Sequence, residues 1–204
     1  GPLPIGGYFT NVSRIGSPIG SYYGFQVDGI FQDAQEIANS SQPAAKPGDF
    51  RYRDVNDDGV IDNRDKVILG NPNPGMFYGI NTSFNFKSFD FLLDIQGVAD
   101  VDVYNANKGI RVGNENYTKE FFDNRWSGPG TSNSYPSADV SRANLEPHSW
   151  FVEDGSYIRI RNVQLGYTLQ SDFVNKLKMQ SMRFYLNAQN PVTWFSYNGF
   201  TPEI

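Results

Sequence analysis

Phe77-Tyr-Gly-Ile-Asn-Thr-Ser-Phe-Asn-Phe-Lys87 runs directly into Ser88-Phe-Asp-Phe-Leu-Leu-Asp-Ile-Gln-Gly-Val-Ala-Asp-Val-Asp-Val103, and the reading of these two stretches decides the fold class. In the first, Tyr78, Ile80, Thr82, Phe84 and Phe86 share one parity, and Gly79, Asn81, Ser83, Asn85 and Lys87 share the other. In the second, Phe89, Phe91, Leu93, Ile95, Gly97, Ala99, Val101 and Val103 fall on one face. Asp90, Asp94, Gln96, Asp100 and Asp102 fall opposite, with Leu92 and Val98 as exceptions. Successive side chains of a strand point to opposite faces, so the spacing predicts two long strands joined by a turn at Lys87-Ser88. About eleven residues at ~3.3 Å each and a tilt near ~45° cover about 25 Å, the height of the apolar band on a membrane barrel. Strands of ordinary soluble domains average about five or six residues. An aromatic and aliphatic face opposite one of Asn, Asp, Gln and Ser suits a wall with lipid outside and water inside. The competing reading is a soluble sandwich hairpin whose apolar face meets a protein core.

The expected fold class is therefore all-β: an antiparallel segment of a large transmembrane β-barrel with long extracellular loops. Across 204 residues there are 17 Lys and Arg against 22 Asp and Glu, a net charge of -5, with no basic cluster of the kind nucleic acid requires. The absence of cysteine removes disulfide frameworks and thiolate metal sites. No apolar run approaches the ~18 residues of a membrane helix, which excludes helical spans and leaves a barrel open. The chain opens on Gly1-Pro-Leu-Pro4 and stops soon after a strand-like run, so it is expected to be a fragment of a longer protein.

Residues 1–21 read mostly as loop, Tyr22 to Phe31 as a short aromatic strand, and Gln32 to Gly48 as a helical turn and a loop, because Pro43 and Pro47 stop any long helix. Then comes Asp54-Val-Asn-Asp-Asp-Gly-Val-Ile-Asp-Asn-Arg-Asp65. Oxygen side chains stand at loop positions 1, 3, 5, 9 and 12, with Gly59 at the sixth, a spacing that folds a short loop around calcium. Asp54, Asn56, Asp58 and Asp65 are expected to ligate by side chain, Val60 by its carbonyl, and Asp62 directly or through water. Position 12 is Asp rather than the bidentate Glu of helix-flanked loops, as in dockerin-like modules, which the segment resembles. The plainer alternative is a solvated acidic turn.

Residues 104–155 show little periodicity, with Tyr104, Trp126, Tyr135 and Trp150 scattered through them and a short helix expected over Glu115 to Arg125. These four aromatics suit either stacking on sugar rings or packing of the loop on itself. Tyr157 to Leu169 returns to alternation, with a parity slip near Arg161-Asn162 that calls for a bulge or a rise above the membrane. Residues 170–181 form a connector with a possible helical turn, and Met182, Phe184, Leu186 and Ala188 alternate with Arg183, Tyr185, Asn187 and Gln189. Connections thus run short, very long, moderate, the order of periplasmic turns and external loops, which puts the acidic loop outside.

Several pieces in order resemble the C-terminal barrel region of SusC/RagA-type TonB-dependent outer-membrane transporters. They are Tyr22-Tyr-Gly-Phe-Gln-Val-Asp-Gly-Ile-Phe-Gln32, Pro47-Gly-Asp-Phe-Arg-Tyr-Arg-Asp-Val-Asn-Asp-Asp-Gly59, Leu69-Gly-Asn-Pro-Asn-Pro74 and Phe86-Lys-Ser-Phe-Asp-Phe91. Gly155-Ser-Tyr-Ile-Arg-Ile-Arg-Asn-Val-Gln-Leu-Gly-Tyr167, Asn187-Ala-Gln-Asn-Pro191 and the closing Gly199-Phe-Thr-Pro-Glu203 complete the set. The resemblance implies a place in the bacterial outer membrane and import of oligosaccharides, or peptides in some branches. It further implies a SusD-like surface lipoprotein as lid, energy from TonB through a plug, and contact with outer-membrane lipid and the rest of its own barrel. On that reading residues 1–204 are the C-terminal part of the barrel, without plug, TonB box, earlier strands or the final strands. No enzyme is expected: His148 is the only histidine, no serine has a Gly-x-Ser-x-Gly context, and Asp90, Asp94, Asp100 and Asp102 suit a water-lined face. The alternative from another class is a secreted, calcium-stabilised soluble β-domain that binds glycans.

Overall fold

The computed structural model describes residues 3–5, 11–108, 116–139, 146–170 and 172–199, the side chains of 3–5, 173 and 175 excepted. The chain divides into two compact units, one of residues 1–73 and 102–153, the other of residues 74–101 and 154–204. Among the described residues no helix is long and apolar enough to cross a membrane.

The second unit is a four-stranded antiparallel sheet of β7 (Met76–Phe86), β8 (Phe89–Ala99), β11 (Tyr157–Leu169) and β12 (Met182–Phe195), in the order β12-β11-β8-β7. Lys87, at φ 54°, takes the left-handed conformation that a two-residue hairpin demands, and the turn falls where the sequence places it. β8 is shorter than its alternation suggests: Asp100 adopts φ 57° and ends it. Val101 turns inward with Val98 and Tyr157, and Asp102–Tyr104 forms the separate strand β9. The parity slip in β11 is a β-bulge between Ile160 and Asn162. Opposite it, β12 carries Asn190 and Pro191 between the paired Gln189 and Val192, so the strand continues past a proline that has no ladder bond to donate.

The first unit holds sheets of β1-β2-β3-β6 (Leu3–Ile5, Asn11–Ser13, Ser21–Phe25, Lys66–Gly70) and β4-β5 (Val27–Ile30, Phe50–Tyr52). β9 pairs with β10 (Val152–Asp154). The aromatic run from Tyr22 thus becomes two strands broken at Gln26, and residues 1–21 contain strands where loop is expected. Helix α1 (Ala34–Ala38) is capped by the Asp33 carboxylate, which accepts from the amides of Gln35 and Glu36. Helix α2 (Lys119–Asn124) opens on Thr118, and α3 (Asp172–Lys176), in the second unit, fills the connector; Glu115 lies outside the described residues. The core of the first unit is Phe25, Ile30, Phe50 and Tyr52, with Trp126 and Trp150 packed against it. His148 is buried, its ring 4.3 Å from Phe50 and 4.5 Å from Phe151. Tyr135 meets Trp150 edge-on at 5.5 Å, and Tyr104 lies 5.1 Å from Phe151. The four scattered aromatics therefore pack the long segment onto its own unit rather than forming an open stacking platform.

Candidate functional site

Two surfaces carry the chemistry: the sheet, with its two unlike faces, and the acidic loop.

Cross-strand partners point to the same side of a sheet, so the register sorts every side chain. One face reads, from one end to the other, Tyr78, Gly97, Ile158 and Trp194; then Ile80, Ile95, Ile160 and Val192; then Thr82, Leu93, Val163 and Ala188. It continues with Phe84, Phe91, Leu165 and Leu186, and then Phe86, Phe89, Tyr167 and Phe184. The last of these rows is aromatic across all four strands, and Tyr78 and Trp194 mark the opposite end, with aliphatic rows between. Eight residue steps separate the two marked rows in β7, about 26 Å along the strand and roughly 20 Å once tilted. That is the arrangement of an apolar band between interfacial girdles. Most of its large side chains are exposed, an extended apolar surface of the kind that lipid covers.

The other face carries Asn81, Asp94, Asn162 and Gln189 in one row and Asn85, Asp90, Gly166 and Tyr185 in another. Arg183 donates to both carboxylate oxygens of Asp90, from Nε at 3.1 Å and Nη2 at 2.6 Å, reaching from β12 to β8 over the intervening strand. Gly166 makes room, since a Cβ there would lie 2.3 Å from Asp90 Oδ1. On the apolar face Tyr78 lies over Gly97, where a Cβ would meet its ring at 2.2 Å, and its hydroxyl donates to the Tyr157 carbonyl at 3.2 Å.

The acidic loop is drawn together by its own side chains. Asp54 accepts the amides of Gly59 at 2.8 Å and Asp58 at 3.2 Å, and Asn56 Oδ1 also accepts from Asp58 at 3.1 Å. Asp58 in turn accepts the Val60 amide at 3.0 Å. Asp57 and Gly59 both take positive φ. The buried Asp65 accepts the amides of Val55 at 3.0 Å and Asp62 at 2.8 Å, which ties both ends of the loop. Arg64, which sequence reasoning passes over, bridges Asp58 and Asp62 with Nη2 at 2.7 and 2.9 Å. Burial raises the Asp54 carboxyl, but the Gly59 amide and Ser41 hydroxyl outweigh it and hold the group below the usual carboxylate range. The Arg64 guanidinium does the same for Asp62. Asp54, Asn56 and Asp58 are thus held together and Asp62 joins Asp58 through a cation, while both Asp65 oxygens face backbone amides. Among the described residues no group of three or more His, Asp or Glu side chains converges as a metal cluster. The donor set nonetheless consists of the hard oxygens that calcium takes.

No protein-family model matches the chain. Over 95% of its length it is 31% identical to TonB-dependent receptor P3 of Formosa agariphila, of which the match covers 19%. Over 78% it is 28% identical to TonB-dependent receptor SusC of Bacteroides thetaiotaomicron, covering 16% of that protein. The chain spans about a fifth of the length of the first curated relatives it matches. A solved structure of the RagAB peptide transporter shares the fold at a TM-score of 0.72 and 18% identity, over 98% of this chain and 21% of that one. Homology along nearly the whole chain and a sheet apolar on one face and polar on the other agree: the chain belongs to the TonB-dependent receptors, β-barrel proteins of the bacterial outer membrane.

Proposed function

We propose that this chain forms part of the wall and external loops of a transporter that imports oligosaccharides across the outer membrane, energised by TonB and working with a SusD-like surface lipoprotein. The observation that supports this most is the sheet, whose aromatic-edged apolar face suits lipid and whose opposite face offers amides, carboxylates and guanidinium groups to water and cargo. Residues 1–204 take the place of a C-terminal barrel section in this reading. Uptake of labelled oligosaccharide by cells bearing the full receptor tests it. Uptake should collapse when TonB or the lipoprotein is deleted. Persistent uptake in both deletions would overturn the reading, and uptake of peptides alone would make peptides the cargo.

The loop over 54–65 is proposed as a structural calcium site, with Asp54, Asn56, Asp58 and Asp65 as side-chain ligands, Val60 supplying its carbonyl, and Asp62 joining directly or through water. The ion would neutralise a carboxylate-rich turn and cross-link both its arms. The loop order and the all-oxygen donor set support this. Metal analysis of the purified receptor after equilibrium dialysis against millimolar calcium should find an ion that Asp58→Ala removes while the barrel stays assembled. No ion in the unmutated protein would sink the assignment.

A further inference from the structure

The bulge shared by β11 and β12 makes a depression of about 290 Å³ on the polar face, lined by Asp94, Arg161, Asn162, Gln189 and Asn190. We propose that this depression is a subsite for one ring of a neutral oligosaccharide. The inference rests on the transporter reading and specifies where the wall holds its cargo.

Three observations lead there. Asp94, Asn162 and Gln189 are cross-strand partners in one row, so three adjacent strands hold them in fixed register. At the bulge β11 inserts Arg161 and β12 inserts Asn190 with Pro191, and the positive φ of 49° at Asn190 bends the strand locally. Finally, Asn162 Oδ1 is buried and accepts no hydrogen bond, and among the described residues no hydrogen bond or ion pair engages the side chains of Asp94, Arg161, Gln189 or Asn190. The side chains of Asp94, Arg161, Gln189 and Asn190 therefore keep their hydrogen-bonding groups for a ligand in the hollow.

The lining selects the ligand class. One carboxylate, one guanidinium and three amides sum to no net charge, and a clustered anion such as phosphate would find a single cation opposed by Asp94. A metal would find one carboxylate, and a hydrophobic side chain would find no apolar wall. Sugar hydroxyls each donate and accept, which matches amides that do both, flanked by the acceptor Asp94 and the donor Arg161.

The test uses the full receptor, purified in detergent and titrated with short neutral gluco-, manno-, galacto- and fructo-oligosaccharides, with short mixed-sequence peptides as the second probe. At least one saccharide should bind, and Asn162→Ala combined with Gln189→Ala should weaken it about ten-fold or more, each lost hydrogen bond being worth several-fold. Heat-modifiable migration on gels verifies that the variant barrel is assembled, and Asn162→Gln provides a second variant that keeps the amide but displaces it. Saccharide binding at full strength in both variants overturns the subsite and leaves the transporter reading standing. Binding of peptides only, or of neither probe, overturns the saccharide class itself.

Discussion

The two units use the same kind of side chain in opposite ways. In the first, Phe31 and Phe50 are 0% exposed and sit in an irregular core made by distant segments. In the second, Phe84 is 62% and Leu186 76% exposed, and the regularity lies in the sheet itself. Hydrophobicity alone therefore does not say where a residue goes. The first unit hides apolar area from water, whereas a barrel wall turns it toward lipid and leaves its polar groups to the aqueous side.

The contrast can be broken most directly in the first unit. Phe50→Ala should cost about 3–5 kcal/mol of that unit's stability, as for a large buried aromatic. Limited proteolysis of the full receptor should then cut within 11–73 or 102–153 while the barrel still migrates as an assembled species. Loss of the barrel in the same variant would show that the two regions do not stand apart. The sheet gives the next largest effect. Leu93→Arg, on the apolar face near the middle of the strands, should cost about 2–4 kcal/mol, read as a fall in the heat-modifiable fraction. Asn81→Arg, on the polar face of the neighbouring strand, should be tolerated, and equal damage from both would erase the distinction between the faces.

Two further predictions sharpen the picture of the acidic loop. Asp65→Ala strips the acceptor from two backbone amides at a buried position and should cost about 1–3 kcal/mol, seen as faster cleavage near Asn56. Acidification should act more gently. Asp54 and Asp62 have folded-state pKa values below their ordinary ones, so their contribution is complete above about pH 4. It fades as the pH falls through the lowered values, and proteolytic protection of the loop, followed from neutral pH downward, should stay level until then.

Much of the sheet was legible because period two is a short-range signal. The hairpin turn at Lys87-Ser88 and the bulge after Ile160 can both be read by counting parity. Parity misled at Val101 and Val103, where alternation continues on paper but the positive φ of Asp100 has already ended the strand. In β12 the alternation read from the sequence reaches only Gln189, while the bulge at Asn190 and Pro191 carries the strand on to Phe195. The segment from Tyr104 to Gly155 resisted reading for a different reason. Its structure comes from contacts such as the Trp126 indole N–H to Gln32 and the ring of His148 on Phe50, which no local pattern announces. In the acidic loop the spacing of oxygen ligands was plain, but the cation placed among them at Arg64 was not.

Tyr78 has a consequence for the order in which the wall is built. Its ring is pinned over Gly97 of β8 while its hydroxyl reaches the Tyr157 carbonyl of β11, so a single side chain answers to three strands. The β7–β8 hairpin alone supplies the floor for the ring but not the acceptor for its hydroxyl. The latch closes only when the third strand has arrived, which makes this tyrosine a marker of strand recruitment rather than of hairpin formation.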